Sequence, residues 1–326
     1  MKKKILVTGG GGYVGSALIP QLLEKGYDVN VIDLMIYGDT LPKSDYLKIF
    51  KSDIRDMNNL KLSLKDVNTV IHLACISNDP SFELDKDLGK KINFDIFEPM
   101  VEAAVEAKVQ RFIYASSSSV YGVKEEKNVS EDMSLKPLTD YSKYKAMCEK
   151  ILLKYVSENF TPIIVRPATV CGFSPRQRLD LVVNILSNLA FNKNKITVYG
   201  GPQLRPNIHI DDMVDAYLLM VEEETKKVSG QIFNVGYENQ SVSDLALTVK
   251  EVIGQNVEIL TEATDDNRSY HISSEKIYKE LGFKPKKTVK NAIEDLFNAF
   301  KSNKFKDPLT NEYYFNIKRM QNIKLK

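Results

Sequence analysis

The chain has 326 residues, of which 43% are hydrophobic and 27% charged, and its formal net charge is +2 at neutral pH. That length lets one large or two fused domains bury roughly three quarters of the unfolded surface, and the composition is that of a soluble globular protein. The near-balanced charge gives no basis for nucleic acid as a general polyanionic partner, and no apolar run approaches the roughly 20 residues of a membrane helix. Met1-Lys2-Lys3-Lys4 leads straight into an apolar stretch interrupted by glycines, which does not read as a secretory leader. Cys75, Cys148 and Cys171 are scattered thiols without a disulfide framework, so a cytoplasmic protein is expected.

Along the chain, Ile5 to Thr8 reads as a strand, Val14 to Lys25 as a helix and Val29 to Leu34 as a strand. Val70 to Ala74 reads as a strand, and a long helical stretch surrounds Asn93 to Ala107. Arg111 to Ser116 then forms a strand, Ser142 to Val156 a helix and Ile163 to Arg166 a strand. Alternating strands and helices, with nearly continuous apolar strands, predict a doubly wound parallel sheet covered on both faces. The second half is less regular and is punctuated by Pro175, Pro202, Pro206 and Gly200-Gly201. One strand at Ile232 to Val235, a helix at Ser243 to Ile253 and an amphipathic helix at Thr288 to Phe300 suggest a smaller lobe packed on the sheet.

Thr8-Gly9-Gly10-Gly11-Gly12-Tyr13-Val14-Gly15 follows the first strand and opens the first helix. Glycines there let the backbone approach a pyrophosphate, and the helix start offers free N–H groups and a positive dipole end. Two registers are open, Gly10/Gly12/Gly15 and Gly9/Gly12/Gly15. Asp33 ends the second strand, eighteen positions after Gly15, where a carboxylate accepts from adenosine ribose hydroxyls and repels a 2′-phosphate. No arginine follows it directly, so NAD is favoured over NADP. Asp53-Ile54 and His72-Leu73-Ala74-Cys75 lie at later strand ends; Asp53 and Ile54 are candidates to hold the adenine, Leu73 and Ala74 line the cofactor path, and His72 is read as structural. No metal is expected.

Tyr141 and Lys145 are four residues apart and share a helix face. A free tyrosine titrates near 10. A nearby ammonium, and the cationic nicotinamide of NAD⁺, are expected to lower that value and make Tyr141 a base toward a sugar hydroxyl. Tyr114-Ala115-Ser116-Ser117-Ser118-Ser119-Val120-Tyr121-Gly122 ends the fifth strand, and ligand sites in such sheets lie at strand carboxyl ends.

Together, the glycine string, the acidic end of strand two, Ser-Ser-Ser-Ser-Val-Tyr-Gly and Tyr-x-x-x-Lys resemble the extended short-chain dehydrogenase/reductase superfamily in its nucleotide-sugar epimerase/dehydratase branch. Arg166-Pro167-Ala168-Thr169-Val170-Cys171-Gly172, Asn207-Ile208-His209-Ile210-Asp211-Asp212-Met213 and Phe233-Asn234-Val235-Gly236 extend the likeness over nearly the whole chain. The resemblance implies a Rossmann domain over 1–167, joined by about 207–236. It implies a nucleotide-sugar lobe over 168–206 and 237–326. It implies Ser117 as the active-site hydroxyl, Tyr141 as base and Lys145 as its partner, with Gly9, Gly12, Tyr13, Val14, Gly15, Asp33, Asp53, Ile54, Leu73 and Ala74, and Tyr141 and Lys145 themselves, around NAD. Asn93 matches a helix asparagine near the active site and is read as structural. Ser117, Ser118, Thr169, Arg205 and Arg268 become candidates for the nucleotide-diphosphate sugar, the arginines because a guanidinium fork suits phosphate, and Ser174-Pro175-Arg176-Gln177-Arg178-Leu179-Asp180-Leu181 adds Arg176 and Arg178 as further candidates to face it.

The sequence departs from the dehydratases of that branch, which carry Asp-Glu after the active-site hydroxyl where this chain has Ser118 and Ser119. Dehydration is therefore not expected. Thr169 and Cys171 replace an asparagine and a tyrosine usual in sugar 4-epimerases, and Cys171 is read as a buried structural thiol. The leading expectation is an epimerase acting by transient oxidation. A net nucleotide-sugar dehydrogenase or ketoreductase comes next, ahead of a non-catalytic NAD-binding regulator. A homodimer is expected through the helices at Asn93–Ala107 and Ser142–Val156, which pair as a four-helix bundle in similar proteins, with Phe97, Val101, Met147 and Ile151 as candidate contacts.

Overall fold

The structure is a computed structural model that describes residues 3–264 and 268–325; Met1 and Lys2 of the N-terminal lysine run lie outside the described residues. Twelve strands occur among them: β1 Lys4–Thr8, β2 Asp28–Asp33, β3 Leu47–Lys51, β4 Thr69–His72, β5 Arg111–Ala115, β6 Thr161–Pro167, β7 Thr169–Cys171, β8 Lys195–Tyr199, β9 Leu204–His209, β10 Gln231–Val235, β11 Glu238–Ser241 and β12 Glu258–Glu262. Seven of them form a sheet in the order β10-β6-β5-β4-β1-β2-β3. Every neighbouring pair in it is parallel. This is the doubly wound architecture that the strand–helix alternation predicts.

Period-two packing explains why these strands are apolar throughout. Ile5, Val7, Ile113, Ile163 and Val165 enter one core, beneath the Tyr13–Glu24 and Ile210–Glu222 helices. Leu6, Phe112, Tyr114 and Ile164 enter the opposite core, beneath the Phe97–Glu106 and Asp140–Leu153 helices. A strand covered on both faces has no polar side to alternate with.

The less regular second half holds two small sheets, β11-β9-β7 and β12-β8, packed with the Val182–Lys193, Val242–Ile253 and Val289–Lys301 helices around a third core. Thr288, expected as the first residue of the last of these helices, is its N-cap and forms a capping box with Asn291. No helix among the described residues is long and apolar enough to cross a membrane.

Two expectations are corrected. The helix expected over Asn93–Ala107 is broken: a π-helical turn at Lys91–Asp95 follows a short helix at Lys86–Lys90 and precedes Phe97–Glu106. Asn93 sits in that turn and braces the chain after β4. Its Nδ2 donates to the Ile76 carbonyl at 3.0 Å and its Oδ1 accepts from the Ile76 amide at 2.8 Å, the structural role expected of it. The second correction concerns Phe97 and Val101. They are fully buried beneath the protein's own sheet and offer nothing to a partner. Helical spacing alone does not separate a residue facing the sheet from one facing outward.

Candidate active site

A cleft of about 520 Å³ opens at the carboxyl ends of the parallel strands. It lies where strand order reverses between β1 and β4, the usual ligand position in open α/β sheets. Gly9, Gly12 and Gly15 line it. Gly9 adopts φ +71°, and a Cβ there would stand 2.6 Å from the Ala74 backbone nitrogen. Gly10 instead faces the core, against Ile19 and Val31. The second of the two open registers is thus the one that faces the cleft. The first helix starts at Tyr13 with no side-chain cap at Gly12, so its leading amides are left for a ligand. The Tyr13 hydroxyl is occupied: it donates to the Gly172 carbonyl at 2.6 Å and accepts from Asn184 Nδ2 at 3.1 Å. Only the backbone of Tyr13 serves the cradle.

Asp33 closes the far side of this half. Its Oδ2 accepts from the Gly11 amide at 3.0 Å and its Oδ1 from the Met35 amide at 2.6 Å. Burial raises its carboxyl above the usual range, opposed by those two bonds and by Arg176. The sequence shows no arginine after Asp33, yet the fold brings Arg176 to it from the second lobe. Asp53 is bound on both oxygens by Arg55, at 3.0 and 2.7 Å. Burial would raise its pKa, but the Arg55 bonds outweigh this and lower it. Its carboxylate is therefore committed, and Ile54, with Ile32 and Leu73, supplies the apolar wall expected of an adenine pocket. His72 lies beneath the cleft floor, bonded to Thr8 Oγ1 at 2.6 Å; burial, then Lys145, pushes its pKa down to about 3. It is neutral and structural, as expected.

The other half collects Ser117, Ser118, Ser119, Tyr141, Lys145 and Thr169. Thr139 caps the Asp140–Leu153 helix by a capping box with Ser142, which sets Tyr141 and Lys145 in its first turns. Lys145 Nζ donates to the Ala115 carbonyl at 2.6 Å and lies 5.0 Å from the Tyr114 ring centre and 5.8 Å from that of Tyr141. Ser117 bonds Ser119 Oγ at 2.8 Å and lines the same cleft as Tyr141. Ser116 turns away and donates to Glu149. One expectation fails in the protein alone: Tyr141 is not acidified. Enclosure raises its pKa well above the usual value, Cys75 and Asp79 add to the rise, and Arg178 and Ser117 oppose it. The cofactor's positive charge is the part of the expected acidification that the chain does not itself contain.

At the mouth, Arg268 Nη1 pairs with Asp79 Oδ2 at 2.8 Å, and Arg205 Nη1 donates to the Arg268 carbonyl at 2.5 Å. Arg205 and Arg268 therefore meet, although 63 residues separate them. Arg178 does not join them; it lies with Ser77 and Asp180 toward the cofactor half. Cys171 is fully buried and bonded to the Ile208 carbonyl, with burial pushing its thiol far up, so it is no acid or base. Sequence reasoning missed Asn316 and Met320 from the C-terminal helix Asn316–Ile323, which line the same cleft. They lie too far along the chain for local spacing to reveal. It also missed Glu149, which Arg166 grips through Nε at 2.9 Å and Nη2 at 2.6 Å beneath the site.

A glycine cradle on an uncapped helix, an acidic end to β2 and a serine–tyrosine–lysine set at the next strand ends define a nucleotide-dependent oxidoreductase scaffold of the extended short-chain dehydrogenase/reductase type. The chain belongs to the NAD dependent epimerase/dehydratase family, whose profile matches residues 5–236. It is thus an enzyme of the nucleotide-sugar branch with NAD as cofactor, which the cradle suits. Relatives fall on both sides of the family name. A UDP-glucose 4-epimerase of Lactobacillus helveticus is 26% identical over 87% of this chain and 92% of its own length. A human dTDP-D-glucose 4,6-dehydratase is 28% identical over 92% of this chain and 91% of its own. Among solved structures, MoeE5 in complex with UDP-glucuronic acid and NAD is 26% identical and superposes with a TM-score of 0.81 over 92% of this chain and 99% of its own. UDP-glucose 4-epimerase of Thermotoga maritima, at 24% identity, shares the fold with a TM-score of 0.84 over 93% of this chain and 100% of its own.

Proposed function

We propose that the protein is an epimerase of a nucleotide-diphosphate sugar, in which the substrate is oxidised and then reduced on the opposite face within one binding event. The observation that carries this is the enclosure of the cofactor half. The Asn316–Ile323 helix crosses it, with Asn316 bonded to Arg176 at 2.6 Å and to Ser77 at 3.0 Å, and Met320 packed in the core that contains Ile32 and Ile54. A cofactor half flanked in this way by a packed helix suits chemistry that regenerates the cofactor in place, and disfavours a net dehydrogenase that exchanges it each turnover. Ser118 and Ser119 narrow the reading further, since neither supplies the acid that elimination of water needs.

NAD, when bound, supplies the hydride acceptor and a positive charge. Ser117 and Tyr141 hold the sugar hydroxyl, Tyr141 takes its proton during oxidation and returns it during reduction, and Lys145 stabilises the phenolate. Arg205 and Arg268 at the mouth suit the substrate diphosphate, with Ser118 and Thr169 nearer the sugar. We assign the Rossmann domain to 1–167 with 207–236, and the substrate lobe to 168–206 and 237–326. Incubation with UDP-, dTDP-, GDP- and CDP-sugars deuterated at the reacting carbon tests the reaction. The expected result is an inverted product that retains the label, with catalytic cofactor. Stoichiometric deuterated NADH with a keto-sugar product would establish the dehydrogenase instead.

We also propose a homodimer through the Phe97–Glu106 and Asp140–Leu153 helices. With Phe97 and Val101 used by the sheet, the outward apolar positions are Val105 and Met147, 41% and 42% exposed, and the half-buried Ile151. Light scattering should give twice the chain mass, and a stable monomer at micromolar concentration would overturn the dimer.

A further inference from the structure

The segment after β7 folds back from the second lobe onto the start of the first helix. Ser174 Oγ donates to the Tyr13 carbonyl at 2.7 Å, and the Arg176 amide donates to Ser16 Oγ at 3.0 Å. This carries two arginines into the cofactor half, 3% and 7% exposed. The guanidinium carbon of Arg176 lies 3.7 Å from the ring centre of Tyr37, just past β2, and its Nη2 donates to Asn316 Oδ1 at 2.6 Å. Arg178 donates through Nε to Asp180 Oδ1 at 2.9 Å and through Nη1 to Ser77 Oγ at 3.2 Å, on the turn after β4.

Two donors are left over. Arg176 Nε and Arg178 Nη2 are buried without a hydrogen-bond partner, an arrangement that costs free energy unless a ligand completes it. The shortage is of acceptors rather than of negative charge: Asp180 is taken by Arg178, and Asp33, the other carboxylate near Arg176, already accepts two backbone amides. Burial, and then the neighbouring charge of Arg178, push Arg176 down to about 10. A ligand with acceptor oxygens is the missing partner.

Its position follows from what the arginines reach. Arg176 stacks on Tyr37 just past β2, at the adenosine end, and its amide is held by Ser16 on the first helix. Arg178 bonds Ser77 after β4, and both arginines line the same cleft as the glycine cradle and Tyr141. Between adenosine and nicotinamide, a dinucleotide carries its pyrophosphate. We propose that Arg176 and Arg178 clamp the cofactor pyrophosphate against the first helix, with Asn316 latching the clamp from the C-terminal helix. The clamp rests on NAD being the cofactor. It moves Arg176 and Arg178 from the expected substrate candidates to the cofactor, and leaves Arg205 and Arg268 as the arginines for the substrate diphosphate.

The test uses full-length protein stripped of nucleotide. Calorimetric titration with NAD, and separately with UDP and dTDP, is made on wild type and on the Arg176→Met, Arg178→Met and Arg178→Lys variants. Loss of one charge-assisted hydrogen-bonded contact should weaken NAD by about 10- to 100-fold, with nucleoside diphosphate affinity within about twofold of wild type and partial recovery in Arg178→Lys. Asn316→Ala, which leaves both arginines in place, should speed NAD release measured by displacement of bound NADH fluorescence. Weakened UDP or dTDP binding with NAD unchanged would assign the arginines to the substrate and overturn the clamp. Unchanged affinity for all three ligands would overturn it as well, as would equal loss of all three with a lowered melting temperature, which marks a scaffold role. None of these outcomes depends on whether label is retained during turnover.

Discussion

Tyr141→Phe should lower kcat/KM by about 10²- to 10⁴-fold, the range over which a positioned proton-transfer group acts, while NAD content stays at the wild-type level. The substitution removes one oxygen and keeps the ring that meets Phe82 edge-on at 6.5 Å, so the helix start and the cradle are undisturbed. Lys145→Met should be comparably damaging, because Lys145 is the fixed cation of the pair, held by the Ala115 carbonyl. Ser117→Ala should cost less, since it removes a hydrogen bond and leaves the base. The pH profile carries the sign. Enclosure, Cys75 and Asp79 hold the phenol protonated, so the phenolate fraction, and with it the oxidation rate, should rise with pH through the neutral range. Arg178 favours the phenolate, so Arg178→Met should move that rise to higher pH. Tyr141→Phe with near-native turnover on an accepted sugar nucleotide would put the base elsewhere.

What the sequence made legible was the part that chain-local spacing encodes. Four residues on one helix place Tyr141 and Lys145 together, and three glycines after a strand make a cradle, whatever happens elsewhere in the chain. Parallel strands buried on both faces announce themselves by unbroken apolar runs such as Ile5-Leu6-Val7. What stayed hidden depends on distant meetings. Asn316 reaches Arg176 across 140 residues and Ser77 across 239, and no periodicity records such a pairing. The break in the Asn93–Ala107 helix was hidden for the same reason: its visible correlate is the Asn93–Ile76 bond pair, a tertiary contact. Tyr141 shows the limit differently. Helix spacing locates the residue and suggests the charges beside it, an ammonium and the nicotinamide, but its titration is dominated by enclosure in the whole cleft.

Glu149→Leu should destabilise the fold by about 3–5 kcal/mol, the cost of leaving a buried charge without its partner. Glu149 and Arg166 are 3% and 2% exposed. Arg166 also donates to Tyr121 Oη at 2.7 Å, which donates in turn to Asn234 Oδ1 at 2.7 Å, tying β6 to β10 and to the segment after β5. Burial works against the Arg166 charge and Glu149 offsets it; when the carboxylate is removed the guanidinium, whose intrinsic pKa is very high, stays charged and unpaired. Ser116, one residue before Ser117, also loses its acceptor. Urea unfolding measures the stability loss, and the double variant Glu149→Leu/Arg166→Met should recover most of it, because an apolar pair of similar volume removes the orphaned charge. Turnover separates the two functions of the network. If Glu149 also positions the serine loop, the double variant regains stability while kcat stays low, because Ser116 still lacks its acceptor. A Glu149→Leu protein within about 0.5 kcal/mol of wild type, the range of ordinary surface changes, would show that the buried pair does not hold these strands together.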